Sequence, residues 1–186
     1  HCVYTKTRSQ AFCFANAGWK GEQPSSPRLP KEGEILINEI LFNPIGDGVD
    51  FLELLNVSDT VFDISNCKLG NKKQMYILPT FLLYPDSMVA ITKDSALLCS
   101  QYHCKNPQNI LQVEKMLPLP NDSGFIKITC DSTIIDTLYY KADMHHIYLN
   151  NIEGISLERS SDGIWQSAST ILKATPGYKN SRSSTK

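Results

Sequence analysis

Ile35-Leu36-Ile37-Asn38-Glu39-Ile40-Leu41-Phe42, the turn residues Pro44-Ile45-Gly46-Asp47-Gly48, and Phe51-Leu52-Glu53-Leu54-Leu55 together decide how this chain folds. The first run is apolar at odd and even positions alike, and only Asn38 and Glu39 interrupt it. Successive side chains of a strand point to opposite faces, so a strand apolar on both faces is buried between layers. The glycines permit positive φ and Asp47 can bond its own backbone, which makes the middle segment a turn. Two strands joined by a turn, the first covered on both sides, open a sandwich.

The rest of the chain continues in the same style. Short strands are predicted around Val61-Phe62-Asp63-Ile64, Met75-Tyr76-Ile77, Met88-Val89-Ala90-Ile91, Ile110–Val113, Ile134–Tyr140, Gly154–Arg159 and Trp165. Ile126, Ile128 and Cys130 alternate with Lys127 and Thr129, the pattern of a strand with one wet face. Tyr84-Pro85-Asp86-Ser87 and Asn121-Asp122-Ser123-Gly124 supply turns. One helix is expected, capped by Asp94, running from Ser95 for about two turns and stopped by Asn106-Pro107. The expectation is an all-β antiparallel sandwich with one short helix in a connection.

Organisation follows from composition. Gly18, Gly21, Pro24, Pro27, Pro30 and Gly33 crowd the first 33 residues, so residues 1–33 read as a linker or the remnant of a preceding domain, with Ala11–Phe14 as one strand of it. Residues 34–181 form the sandwich and residues 182–186 a polar tail. The abrupt start, without a charged segment leading into an apolar stretch, and the polar end suggest an internal piece of a larger protein. Basic and acidic side chains number 18 and 19 and are spread along the chain, which argues against a nucleic-acid partner. No stretch approaches the roughly 18 apolar residues that a transmembrane segment needs.

Six cysteines are present: Cys2, Cys13, Cys67, Cys99, Cys104 and Cys130. Disulfides and buried free thiols are both open readings, since a chain of this length can fold without staples. Cys99, His103 and Cys104 allow three arrangements: a local Cys99–Cys104 disulfide if the helix frays, free thiols, or three ligands of a zinc ion lacking a fourth.

Several ordered blocks resemble the lamin-tail domain family. They are Ile37-Asn38-Glu39-Ile40-Leu41-Phe42-Asn43-Pro44 followed by Asp50-Phe51-Leu52-Glu53-Leu54-Leu55-Asn56, then Asp63-Ile64-Ser65-Asn66-Cys67-Lys68-Leu69 and Leu83-Tyr84-Pro85-Asp86. Leu119–Gly124, Asp143-Met144-His145-His146, Gly154–Arg159 and Ala174-Thr175-Pro176-Gly177-Tyr178-Lys179-Asn180-Ser181 are similar to its bacterial branch. The resemblance departs at Asn66, Cys67 and Asp86, where the family has Gly, an aromatic residue and Gly. It implies an immunoglobulin-like sandwich without catalytic residues, attached beside other domains in a secreted or cell-envelope protein of bacteria. Its partner would be an unknown protein or cell-envelope component, and it would carry no cofactor.

Four groups of residues could still carry chemistry. Asp47, Asp50 and Glu53, with Glu39 nearby, are weak candidates for calcium, which takes six to eight oxygens. The plainer reading is an Asx-turn at Asp47, with Glu39 and Glu53 bonded to backbone amides or to a neighbouring strand. Asp143, His145 and His146 contain acid–base types, yet adjacent histidines on an extended chain point apart. There one ring is expected at a sheet edge beside Tyr140 and Tyr148, and the other in solvent. Ser156 and Glu158 share one strand face, while Leu157 and Arg159 share the other; a Glu–Arg pair or a carboxylate accepting backbone N–H bonds would follow. Tyr139, Tyr140, Tyr148 and Trp165 could line a sugar-stacking face. The expected activity is none: an interaction or spacer module, with glycan- or Ca²⁺-dependent adhesion as the alternative.

Overall fold

The computed structural model describes residues 28–182, and they form an all-β sandwich of several sheets with one helix. The expected strand at Ala11–Phe14 lies outside the described residues, as do Cys2 and Cys13. The chain runs β1 (Ile35–Leu41), β2 (Phe51–Asn56), β3 (Phe62–Asp63), β4 (Cys67–Gly70), β5 (Met75–Ile77), β6 (Leu82–Leu83) and β7 (Met88–Thr92). It continues through α1 (Ser95–Gln101), β8 (Ile110–Gln112), β9 (Ser123–Cys130), β10 (Thr133–Lys141), β11 (Leu157–Arg159) and β12 (Trp165–Ser167).

Six strands make one sheet in the order β12-β11-β1-β2-β7-β8, and four make the second in the order β10-β9-β4-β5. β3 and β6 pair as a small separate ribbon. Ile37, Ile40, Leu52, Leu54, Val89, Ile91 and Leu157 of the first sheet share one buried cluster with Leu69, Ile126, Ile128, Leu138 and Tyr140 of the second. Asp136 ties the layers together at an edge. Its Oδ2 accepts from the Ile37 amide at 2.8 Å and from Arg159 Nη1 of β11 at 2.7 Å.

One pairing departs from the expected antiparallel arrangement: β7 and β8 are parallel. The helix explains it, because a crossover through α1 returns the chain to run the same way, which a tight turn cannot do. Asp94 caps that helix, its Oδ1 accepting from the Leu97 amide at 2.9 Å. Two further differences are local. Cys67–Gly70 forms a strand where none was expected, and the turn before β9 ends at Asp122, so Ser123 and Gly124 already pair with Lys141 and Tyr140.

β1 is buried on both faces for two different reasons. One face meets the second sheet. The other is covered by α1 and by the C-terminal segment, with Leu41, Phe51, Ala90, Leu98, Tyr102 and Ala174 in a second buried cluster. A bulge between Ile37 and Glu39 puts the extra residue, Asn38, into β1. A bulge interrupts strict alternation, so Asn38 and Glu39 both turn to this outer face. The entry and exit of the described chain lie near each other here. Arg28 pairs with Glu34 just before β1, and Asn180 bonds Asn38 within it.

Two disulfides occur among the described residues. Cys67 and Cys130 are direct cross-strand partners of β4 and β9, buried, with Cα atoms 4.0 Å apart. Cys99 and Cys104 close the end of α1. Because the helix stops at Gln101, Cys99 and His103 do not share a continuing helical face, and the zinc arrangement is excluded by the bond itself. Both bonds are compatible with an extracellular or periplasmic location. Among the described residues no helix is long and apolar enough to cross a membrane.

Candidate functional site

The most unusual polar arrangement is a row of three glutamates across the six-stranded sheet. Glu158 of β11 pairs with Glu39 of β1, and Glu39 pairs with Glu53 of β2. Cross-strand partners share a face, so all three carboxylates point to the outer side. All three are fully buried there. Buried charges without partners are costly, and partners are present.

Residues 174–181 cross this face as a strap, and each carboxylate holds one backbone amide of it. The Thr175 amide donates to Glu39 at 2.8 Å, the Gly177 amide to Glu53 at 2.7 Å, and the Ser181 amide to Glu158 at 2.7 Å. Side chains complete the set. Ser156 Oγ donates to Glu39 at 2.5 Å, Asn38 Nδ2 to Glu53 at 2.7 Å, and Ser181 Oγ to Glu158 at 2.9 Å. Thr175 Oγ1 lies 2.8 Å from Glu39 Oε2 and 3.1 Å from Glu158 Oε1. Gly177 sits at φ +78°, a left-handed turn that brings its amide down onto Glu53. On the other side of the strap, Asn106 and Asn109 each donate to the Gly177 carbonyl, at 3.1 and 3.0 Å.

Electrostatics follow from this burial. Loss of water pushes Glu39 up to about 8, assisted by the charge of Glu158 and opposed by its hydrogen bonds from Ser156 and Thr175. Burial, then the neighbouring Glu39, raises Glu53 well above the ordinary carboxylate range. A protonated Glu39 can donate to Thr175 Oγ1, which then donates to Glu158, so the row carries less than its full negative charge near neutrality.

The calcium candidates separate. Asp47 is exposed in the turn, Asp50 is half-buried before β2, and Glu53 is buried beneath the strap. Asp50 and Glu53 are three residues apart along extended backbone, an odd number, which sends them to opposite faces. Asp50 accepts from the Leu119 amide, and burial raises its carboxyl to about 6. It borders a cleft of about 370 Å³ with Val49, Lys93, Met116 and Leu117. Among the described residues no three His, Cys, Asp or Glu side chains stand close enough to hold a metal ion.

One histidine is buried and the other exposed, as expected, but Tyr148 stands beside the exposed ring and the buried one meets Phe42. His145 is buried beside Phe42, 5.6 Å between rings, and Phe42 stacks on Tyr140. His145 Nδ1 lies 3.0 Å from Ser167 Oγ, which accepts from the His146 amide at 2.9 Å. Burial lowers His145 to about 4. His146 is exposed next to the Tyr148 ring, and Asp143 is exposed in the turn before them, so the three do not converge.

Of the two roles expected at Glu158, a Glu–Arg pair and a carboxylate accepting backbone N–H bonds, the second is found: Glu158 accepts from the Ser181 amide, and Arg159 reaches Asp136 on the other side, as adjacent strand residues must. The aromatic face does not form. Tyr140 is fully buried and Trp165 packs against the core, while only Tyr139 and Tyr148 are open, at 59% and 82% exposure. Sequence reasoning also missed the strap as the partner of the glutamates. Three glutamates in otherwise apolar strands signal that donors are needed, but nothing in the sequence pattern picks out Thr175, Gly177 and Ser181 as those donors.

A scan of protein families finds no model that matches this chain, and a search of curated proteins finds no match either.

Proposed function

We propose that this chain is a non-catalytic interaction or spacer module of a larger secreted or cell-surface protein, of the lamin-tail type with an immunoglobulin-like sandwich, from a bacterium. One observation carries the reading. The groups best suited to chemistry, Glu39, Glu53, Glu158 and His145, are buried, and the three glutamates are committed to backbone amides of the strap. A carboxylate engaged in holding the fold is not free to meet a substrate. The two disulfides support a secreted setting, and the ordered sequence blocks support the family.

The test is a substrate panel of aryl esters, aryl glycosides and phosphate esters with the purified chain. No turnover above buffer is expected at pH 5 to 8. Turnover that disappears in Asp50→Asn or His146→Ala, with the fold intact by circular dichroism, overturns the reading. Those two variants are chosen because their side chains are open enough to meet a substrate.

A further inference from the structure

We infer that Cys99–Cys104 is a thiol–disulfide exchange site that an external thiol can open, and that its opening loosens the C-terminal strap. The two disulfides differ in access. Cys67 and Cys130 are fully buried in the core between the sheets. Cys99 is exposed and Cys104 half-buried at the end of α1. Exchange requires a thiolate to reach one sulfur along the line of the S–S bond, so access separates a reactive bond from an inert one.

The chemistry balances with a monothiol of the glutathione class. Its thiolate attacks Cys99 Sγ, a mixed disulfide forms, and the Cys99–Cys104 bond breaks with its electron pair leaving on Cys104, which takes a proton. A second thiolate then attacks the thiol's sulfur in the mixed disulfide and releases Cys99 as a thiol. Two thiols are oxidised to one disulfide while the protein disulfide is reduced to two cysteines.

The consequence travels through the segment that the bond closes. Cys104 anchors the turn leading to Asn106 and Asn109, whose side-chain amides donate to the Gly177 carbonyl at 3.1 and 3.0 Å. His103, beside Cys104, meets the Tyr178 ring edge-on at 6.0 Å. The strap is therefore gripped from two sides: its amides by the glutamates, and its Gly177 carbonyl by a loop that the disulfide secures. Opening the bond frees the loop side, and a strap gripped from one side only lets go of its glutamate-held amides more often.

Graded reduced glutathione on the native full chain, followed by alkylation and peptide mass spectrometry, tests the first half. Cys99 and Cys104 should become labelled at least about tenfold faster than Cys67 and Cys130. Hydrogen exchange on the same samples tests the second half. Amides of residues 177–181 should exchange several-fold faster once the bond is open, and Asn106→Ala should produce the same rise with the bond closed. Equal labelling of both pairs overturns the site. Unchanged strap exchange, after selective reduction or in Asn106→Ala, overturns the coupling.

Discussion

Glu39 and Glu158 face each other across β1 and β11, and a single hydroxyl, Thr175 Oγ1, lies within hydrogen-bonding distance of both, at 2.8 and 3.1 Å. Two buried carboxyls that share one hydroxyl are best served when one of them carries a proton. The pair thus joins the strap to the sheet without requiring two uncompensated charges.

Glu39→Ala should destabilise the fold by about 3 kcal/mol, because the Thr175 amide and Ser156 hydroxyl lose their buried acceptor. Glu39→Gln keeps the shape and one acceptor oxygen and is neutral, so it should cost no more than about 1 kcal/mol at pH 7. Urea unfolding compares the two. Equal losses would mean that charge at Glu39, not its role as acceptor, is what the fold uses.

Stability should also fall on both sides of a mildly acidic optimum. Glu39 is raised from 4.5 to about 8, so its contribution is fully present below 4.5 and is lost as pH rises through 8. His145 is lowered from 6.5 to about 4, so its contribution is present above 6.5 and is lost as pH falls through 4. Each limb approaches a slope of about 1.4 kcal/mol per pH unit for one group. Melting temperatures from pH 3 to 9 should show the dome; Glu39→Gln should make its alkaline limb shallower, with Glu53 and Asp50, also raised by burial, carrying the rest, and His145→Phe should flatten its acid limb.

Removing Cys67–Cys130 by paired Ala substitution should cost more than removing Cys99–Cys104. The sequence separations are 63 and 5 residues, and loop-closure entropy alone gives about 4 and about 2 kcal/mol. Guanidinium unfolding of the two double variants gives the order. The reverse order would place the main constraint at the helix end.

Gly177→Ala should destabilise by about 1–2 kcal/mol, since Gly177 lies at φ +78° and an added Cβ would sit 3.0 Å from Ile110 and 3.2 Å from the Asn106 carbonyl. The loss should be accompanied by faster amide exchange across 174–181. A neutral substitution would show that the strap tolerates another path over Glu53.

Millimolar calcium should leave the melting temperature unchanged, because Asp47, Asp50 and Glu53 do not converge. A calcium-dependent rise that vanishes in Asp50→Ala would restore the adhesion alternative.

Much of the architecture was legible because periodicity carries it. β5 and α1 lie where their patterns place them, Asp94 caps as its type and position suggest, and β9 shows the wet and dry faces of its alternation. The parallel pairing of β7 with β8 was not legible, since local pattern cannot say which way a strand returns after a crossover. β4 was not expected although Cys67 and Leu69 alternate with Lys68 along it. The burial of Glu39 and Glu53 could be suspected from their apolar neighbours, but their partners lie more than 100 residues away, at Thr175 and Gly177. A contact of that range has no local signature. The aromatic face failed for the opposite reason: Tyr139 and Tyr140 are neighbours in sequence and so stand on opposite sides of one strand.

The nearness of Glu34 and Asn38 to the two places where the described chain enters and leaves has a geometric outcome. Four residues of strand span roughly 13 Å, so the portals sit almost side by side. Of the two proposed roles this favours interaction over spacing: polypeptide passing through such a body gains little reach from it, much as a charm adds nothing to the length of the bracelet that bears it.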